Sequence, residues 1–317
     1  MAKHRILIIG FGTVGQGFFE LFQEKQASIG LEDTIVSEII DAKFGYIRNF
    51  GPNIISQLKG GKTFEKADVF KSIRNSEADI VCEFTWVNIK DGEPAFSHIE
   101  EALSAGKHVI TTNKGPIALR YERLHELAAE SKLKLRFKGT VMSGTPSFNI
   151  LELLPGIHVQ KVRGIFNGTS NFILTEMAHG KSFDEGLRLA QSMGYAEADP
   201  TLDVDGFDAA LKAVIFSKVI GWTKHDLNNM DIRGIRDISS SDTSAGVKLL
   251  AAMDSESASV KPVHLSPDDL FSNINGVMNA AEITTDTLGK IFVAGPGAGR
   301  KETAQAVLSD LVEVINN

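Results

Sequence analysis

Short apolar runs alternate with longer segments of helical periodicity through the first half of the chain. The first run, Ile6-Leu7-Ile8-Ile9, is rich in β-branched residues and ends at Gly10, which is typical of a buried parallel strand. Runs of the same kind predict strands at 34–40, 79–84, 108–111 and 134–137. Helical periodicity predicts helices at 13–26, 94–105 and 120–131. Strands that alternate with helices predict a parallel sheet with helices on both faces.

This alternation changes between Val141 and Pro146, where we place a domain boundary. We predict a first domain of residues 1–140, to which the C-terminal helix 298–317 returns, and a second domain of residues 141–297. A length of 317 residues fits two domains of ordinary size. The stretch from Asp237 to Ser244 is rich in Ser and Asp and is interpreted as a surface loop.

Composition narrows the class of protein. Hydrophobic residues make up 43% and charged residues 23% of the chain, as in globular proteins with a packed core. A net charge of −7 argues against nucleic acid or an anionic membrane as the main partner. The single cysteine, Cys82, excludes an internal disulfide framework and a zinc site built from cysteines. No apolar run approaches the ~20 residues of a membrane span, and the apolar start is too short for a signal peptide, so we expect a cytoplasmic protein.

The turn after the first predicted strand fits the pattern G-x-G-x-x-G, with the residues Gly10, Phe11, Gly12, Thr13, Val14 and Gly15. In this pattern one glycine allows a tight turn, one lets the backbone approach a pyrophosphate, and one lets the helix pack closely on the strand. The helix that follows offers unpaired N–H groups and the positive end of its dipole to the phosphates. Because the pattern lies between a strand and a helix, it predicts a Rossmann-type, doubly wound, dinucleotide-binding domain.

Charged residues after the second predicted strand bear on the choice of dinucleotide. Asp41, at the end of that strand, could accept hydrogen bonds from the adenosine ribose, which favours NAD. Lys43 and Arg48 follow closely and could instead bind a 2′-phosphate, and all three could also be solvated loop charges. We prefer NAD and leave NADP open.

The most unusual segment is acidic and ends in an apolar helix. Glu197, Asp199, Asp203 and Asp205 lie within nine residues, and Asp208 follows. Acidic runs are usually solvated loops, and some bind divalent cations. Here, however, the pattern at residues 207–219 predicts a strongly apolar helix, on which Asp208 and Lys212 share a face.

A lysine on so apolar a helix is expected to be removed from water, where neighbouring carboxylates keep it charged. A buried lysine that neighbouring carboxylates keep charged is typical of a general acid/base. Anionic side chains around a pocket would also suit a substrate that carries an ammonium group, which indicates an amino acid.

Five segments make the chain similar to homoserine dehydrogenases, in order and over almost its whole length. They are TTNK at 111–114, GIFNGTSN at 164–171, the acidic stretch with its helix at 194–212, NINGVMNA at 273–280 and GPGAG at 295–299. Of these, the acidic stretch is the most specific. The resemblance implies an NAD(P)-dependent oxidoreductase that interconverts L-aspartate 4-semialdehyde and L-homoserine in threonine, methionine and isoleucine biosynthesis.

The resemblance also implies roles for individual residues. Lys212 would be the general acid/base, and Lys114 a second active-site lysine beside the nicotinamide and the substrate. The implied substrate contacts are Glu197, Asp203, Asp208, Gly168 and Thr169. The implied cofactor contacts, besides the glycine turn and Asp41, are Thr85, Lys114, Gly194, Glu197 and Gly297. The second domain would be an α+β domain for catalysis and homodimerisation, with residues 260–286 in the interface.

The chain departs from the family pattern in two places. Members often bind an alkali cation near a Glu-x-x-Val turn, but Lys138 stands in the glutamate's place ahead of Val141. Because an ammonium repels a cation, we expect no metal there, and the lysine could stand in for the ion. Many members also continue into a regulatory ACT domain, which we do not expect here, since one helix follows Gly299.

Three other functions are compatible with part of this sequence pattern. Aspartate-semialdehyde dehydrogenase needs a thiolate nucleophile, and Cys82 lies in the middle of an apolar predicted strand. A sugar or inositol oxidoreductase would share the glycine turn but does not explain the acidic stretch. A nucleotide-sensing protein that keeps the fold without activity is the alternative from another class.

Overall fold

The computed structural model describes residues 3–239 and 246–316. It divides into two compact units, the first made of Met1–Thr140 with Gly299–Asn317 and the second of Val141–Ala298. Most of the predicted surface loop at 237–244 lies outside the described residues.

The elements follow one another along the chain as follows. The strands are β1 (His4–Ile9), β2 (Thr34–Asp41), β3 (Gly45–Arg48), β4 (Ile80–Glu83), β5 (His108–Thr111), β6 (Leu135–Arg136), β7 (Val159–Ile165), β8 (Asp231–Ile232), β9 (Val247–Asp254), β10 (Ala258–His264), β11 (Met278–Thr285) and β12 (Gly289–Pro296). The α-helices are α1 (Thr13–Lys25), α2 (Ile54–Lys59), α3 (Val69–Asn75), α4 (Ala95–Ser104), α5 (Lys114–Glu130), α6 (Gly168–Ala178), α7 (Phe183–Ser192), α8 (Thr201–Val204), α9 (Phe207–Val219) and α10 (Arg300–Asn316). Short 3₁₀ helices lie at Gln26–Ile29, Lys138–Thr140, Phe148–Leu153 and Leu270–Asn273.

The first unit contains a six-stranded sheet in the order β3-β2-β1-β4-β5-β6. Strands β2, β1, β4, β5 and β6 run parallel to one another, which confirms the predicted Rossmann-type sheet. Strand β3 was not predicted; it pairs antiparallel with β2 and forms the edge of the sheet. Helix α5 also begins earlier than the predicted 120, at Lys114, and its backbone departs from helical geometry at Arg120.

Both faces of the first sheet are covered. Neighbouring residues of a strand point to opposite faces, and Ile6, Leu7, Ile8 and Ile9 are all buried. Helix α1 packs along α10, and α4 packs against both α3 and α5. The apolar run that predicted a parallel strand is therefore apolar because water reaches neither face.

The second unit contains a mixed sheet in the order β12-β11-β7-β9-β10-β8. Its neighbours pair antiparallel except β10 and β8, which are parallel. Helices α6 and α9 both pack on β9, the strand next to β7. Helix α9 is buried along most of its length, including the polar residues Asp208 and Lys212. No helix among the described residues is both long enough and apolar enough to span a bilayer.

Candidate active site

The glycine turn of the first unit is built for close backbone contacts. Gly10 has a φ of +88°, and a Cβ on it would lie 2.7 Å from the carbonyl carbon of Phe84. A Cβ on Gly15 would collide with the carbonyl oxygen of Gly10, so helix and strand pack tightly there. A Cβ on Gly12 would meet no described atom within 4 Å, and no side chain caps the start of α1 at this residue. Open space beside uncapped helical N–H groups suits a pyrophosphate.

Asp41 lies against this turn. Its carboxylate accepts hydrogen bonds from the backbone N–H of Phe11 (2.7 Å), Lys43 (2.8 Å) and Phe44 (3.1 Å). Two of these bonds go to Oδ1 and one to Oδ2. Because a carboxylate has about four acceptor positions, Oδ2 can still accept a ribose hydroxyl.

The two cationic side chains that could bind a 2′-phosphate have different surroundings. The Arg48 guanidinium lies 3.3 Å from the carboxylate of buried Glu38 and stacks over the ring of Tyr46. Lys43 is exposed, and its ammonium lies 5.3 Å from the ring centroid of Phe44. Of the two, Arg48 already has a carboxylate partner.

Thr85 and Lys114 both lie at the carboxyl ends of neighbouring strands, β4 and β5. The backbone N–H and the hydroxyl of Thr85 both donate to the buried carboxylate of Glu83. Asn113 caps α5 through the N–H of Gly115, and its amide donates to the carbonyls of Thr85 (3.1 Å) and Trp86 (3.0 Å). Lys114 is therefore the first residue of a helix that Asn113 caps. It lies at the edge of the sheet where the strands have their carboxyl ends, and in open α/β sheets ligands bind at this edge.

Lys212 and Asp208 form a buried pair in the second unit. The Lys212 ammonium donates to Asp208 Oδ2 (2.7 Å) and to the carbonyl oxygen of Phe166 (2.6 Å). Lys212 is 7% exposed and Asp208 9% exposed. An ammonium has three N–H donors, and the described residues accept two of them, so one remains for a substrate oxygen.

Asn167 joins this pair to a second carboxylate. Its amide nitrogen donates to Asp203 (2.6 Å) and to Asp208 (2.9 Å), while its oxygen caps α6 by accepting from the N–H of Ser170. Burial raises the pKa of Asp203, and the nearby Asp208 carboxylate raises it further. We did not predict Asn167 as a site residue. Its position just before the implied substrate contacts Gly168 and Thr169 was the available signal.

The acidic residues of this stretch fall into two groups, those that contact Asn167 and those that do not. Asp203 and Asp208 face Asn167, whereas Asp205 pairs with Arg236 and Asp199 accepts from the N–H of Thr201. Glu197 is exposed, and within the described chain its carboxylate makes no hydrogen bond. The acidic residues are therefore close together in sequence, but their carboxylates have different surroundings in the structure.

The remaining predicted residues of the second unit lie near the start of α6 or in the segment before α10. The Thr169 hydroxyl donates to the carbonyl of Tyr195 (2.7 Å), which ties the turn after Gly194 to this helix. Gly297 is buried against the side-chain amide of Asn279, where any larger residue would collide.

Lys138 has anionic neighbours in the first unit. Its ammonium lies 3.0 Å from Glu313 and 4.0 Å from Asp310, and its backbone N–H donates to Asp310. Among the residues described, no group of three or more His, Cys, Asp or Glu side chains is arranged to hold a metal ion.

A nucleotide-binding turn in one unit and a buried lysine–carboxylate cluster in the other define an oxidoreductase that uses a nicotinamide dinucleotide. Family profiles specify it further: residues 10–138 match the NAD-binding domain of homoserine dehydrogenase, and residues 146–312 match homoserine dehydrogenase itself. The chain belongs to the homoserine dehydrogenase family.

Individual homoserine dehydrogenases are similar to this chain over nearly the full length of both proteins. The homoserine dehydrogenase of Sulfurisphaera tokodaii is 41% identical, with 97% of each chain covered. The NAD(+)-dependent homoserine dehydrogenase of Pseudomonas canavaninivorans is 37% identical, covering 99% of this chain and 97% of its own. A hyperthermophilic archaeal homoserine dehydrogenase solved with NADPH is 32% identical, with a TM-score of 0.88 over 98% of this chain and 97% of that one.

Proposed function

We propose that the chain interconverts L-homoserine and L-aspartate 4-semialdehyde, with Lys212 as the general acid/base. The observation that carries the proposal is the buried Lys212 ammonium, held by Asp208 and the Phe166 carbonyl with one N–H left over. When bound, the nicotinamide cofactor supplies or accepts the hydride. As the aldehyde is reduced, its oxygen gains negative charge, which the ammonium stabilises and then protonates. In the opposite direction the same nitrogen, once neutral, accepts the hydroxyl proton.

We propose that Asp203 and Asp208 attract the ammonium group of the amino acid. The two carboxylates share one amide donor, Asn167, and the pKa of Asp203 is raised by burial and by Asp208. A substrate cation would relieve the repulsion between them, which favours binding of an amino acid over an uncharged alcohol. Gly168, Thr169 and Glu197 are proposed as further substrate contacts.

For the cofactor we propose NAD ahead of NADP. The remaining acceptor position on Asp41 suits a ribose hydroxyl, and its negative charge would repel a 2′-phosphate. Lys43 keeps NADP open because it is exposed beside Asp41, and the named relatives include one NAD(+)-dependent enzyme and one bound to NADPH. Thr85, Lys114, Gly194, Glu197 and Gly297 are proposed as additional cofactor contacts.

The pathway, the cellular location and the oligomeric state are also proposed from the family. The reaction would serve threonine, methionine and isoleucine biosynthesis in the cytoplasm, and the enzyme would be a homodimer. The rival that needs a nucleophilic thiolate is disfavoured, because Cys82 is fully buried and burial raises the pKa of its thiol.

The test is the absorbance of reduced nicotinamide after L-homoserine is added to the protein with NAD⁺ or NADP⁺ at alkaline pH. We expect absorbance to appear with at least one cofactor, with a higher kcat/KM for NAD⁺, and not to appear with L-serine. Cofactor binding without any change in absorbance would contradict the proposal and favour the nucleotide-sensing alternative.

A further inference from the structure

A second buried lysine, Lys248 on β9, lies outside the cluster around Lys212. It is 3% exposed, and its ammonium donates to three oxygens: the Ile274 carbonyl (2.6 Å), Asn275 Oδ1 (2.8 Å) and Asn171 Oδ1 (3.2 Å). All three acceptors are uncharged, and no described carboxylate lies within ion-pair distance. Three donors matched to three acceptors form a complete binding arrangement for an ammonium group.

Burial of this ammonium has a thermodynamic cost. Removal from water lowers the pKa of Lys248 from 10.5 to about 8. A folded-state pKa below the unfolded value means that the charge opposes folding at pH values below about 8, and that this opposition is relieved as the pH rises toward 10.5. Stability alone therefore does not explain a lysine at this position, where an apolar residue would avoid the cost.

Lys248 holds the segment 274–278, which leads into β11 and ends at its first residue, Met278. The Asn171 amide donates to the carbonyls of Ile274 (3.0 Å) and Met278 (3.1 Å), at the two ends of the segment. The N–H of Gly276, in its middle, donates to the hydroxyl of Thr175. Lys248 and two residues of α6 thus fasten this segment to the helix.

The same segment packs on the first residue of α6. A Cβ on Gly168 would lie 2.7 Å from the carbonyl oxygen of Val277, so the backbone of the segment sits directly against the backbone of Gly168. Asn167, the residue before it, holds Asp203 and Asp208 through its amide. A displacement of the segment would therefore be transmitted to the turn that orients both carboxylates.

We propose that Lys248 is a positioning residue for substrate binding, acting through the segment 274–278 on the turn at Asn167–Thr169. The proposal rests on the proposed function, because it assumes that this turn and its carboxylates bind the amino acid. Lys248 itself touches neither the substrate nor the reacting atoms.

The test is Lys248→Met, which keeps the unbranched apolar part of the side chain and removes the ammonium donors. We expect KM for L-homoserine to rise about tenfold, with kcat within about twofold of wild type and KM for the cofactor unchanged. The denaturation temperature should stay within about 3 °C at pH 7, because lost hydrogen bonds are offset by relief of the buried charge. A purely structural lysine would instead lower the denaturation temperature and leave KM of the folded enzyme unchanged.

Lys218→Met is the matched control. Lys218 is also a buried lysine of this unit, 8% exposed, and donates to the backbone carbonyl of Thr223. We expect KM for L-homoserine to remain at the wild-type value in this variant. An equal rise in both variants would overturn the proposal, since it would reflect the loss of any buried lysine.

Asn275→Ala provides a second variant that does not disturb the core. Asn275 is exposed and contributes one of the three acceptors, so KM for L-homoserine should rise about threefold. The proposal is overturned if KM is unchanged in both Lys248→Met and Asn275→Ala while wild-type enzyme is active. Absence of wild-type activity toward homoserine would instead contradict the proposed function.

Discussion

The two units carry their candidate chemistry in different ways. In the first unit the glycine turn between β1 and α1 is one short segment, and it works through backbone geometry: a positive φ at Gly10, open space at Gly12 and uncapped N–H groups. In the second unit the cluster is made of side chains from three separate segments, represented by Asn167, Asp203 and Lys212. One site is local in sequence, and the other exists only after folding.

This difference has a consequence for how each site tolerates change. Backbone recognition depends on the absence of side chains, so adding a methyl group is enough to damage it. A cluster of buried charges depends on every member, because removing one leaves another without its partner in a medium that screens poorly. Substitutions in the two sites should therefore differ in what they damage: catalysis in the second unit and cofactor binding in the first.

Lys212→Ala should lower kcat for homoserine oxidation by about 10²–10⁴-fold, because the proton would lose its positioned acceptor. The dissociation constant for NAD⁺, measured by fluorescence titration, should not change, since the glycine turn is intact. Lys218→Met, on the same helix α9, is the control and should keep wild-type kcat. A Lys212→Ala enzyme with normal turnover would show that the proton moves by another route.

Asp208→Asn should lower kcat/KM for homoserine by about 10- to 100-fold, or about 1.4–2.8 kcal/mol. The amide keeps the shape of the side chain but removes the charge that both Lys212 and the substrate ammonium require. Steady-state kinetics would measure the change.

Asp205→Asn is the matched control for that substitution, because Asp205 belongs to the same acidic run but pairs with Arg236 at a partly exposed position. Exposed ion pairs contribute little, so we expect near-normal kinetics. Equal losses in both variants would argue that the run acts through its total charge rather than through one carboxylate.

Gly12→Ala should weaken NAD⁺ binding about tenfold without loss of stability, because the added methyl group enters the space left for the pyrophosphate. Gly10→Ala should also lower the free energy of unfolding, by at least about 1–2 kcal/mol, because its φ is +88°. Chemical denaturation and cofactor titration separate the two effects. If Gly12→Ala bound NAD⁺ normally, the phosphates would lie elsewhere.

The pH dependence of KM for homoserine should show the raised pKa of Asp203. As the pH falls through that pKa, the carboxyl gains a proton and loses its attraction for an ammonium group. KM should therefore rise at acidic pH, by about threefold to fivefold, before an ordinary aspartate with a pKa near 3.8 would titrate.

Asp203→Asn should raise KM at neutral pH and remove this acid limb of the profile. Asp199→Asn should leave the limb in place, because Asp199 is exposed and its pKa is lowered by bonds to Thr201. If KM for homoserine still rose at acidic pH in Asp203→Asn, the rise would have to come from another titrating group.

Sequence patterns predicted the elements of the first unit well where both faces of a strand are buried. The run at Ile6–Ile9 and the end of β2 at Asp41 are examples. The edge strand β3 was missed, since one short segment of mixed residues has no strong periodicity. The start of α5 was placed too late, because Gly115 and Pro116 resemble a turn until the Asn113 cap is seen.

The glycine turn, the strands buried on both faces and the spacing that places Asp208 and Lys212 on one helical face could all be predicted from the sequence. These features depend on neighbours along the chain, so periodicity and residue type suffice to predict them. Three features became apparent only from the folded chain: which acids of the run at 197–208 are buried, the link that Asn167 makes between two of them, and the burial of Lys248 beside the segment 274–278. Burial and hydrogen-bond partners across long sequence separations depend on how strands and helices pack, and no local pattern encodes them.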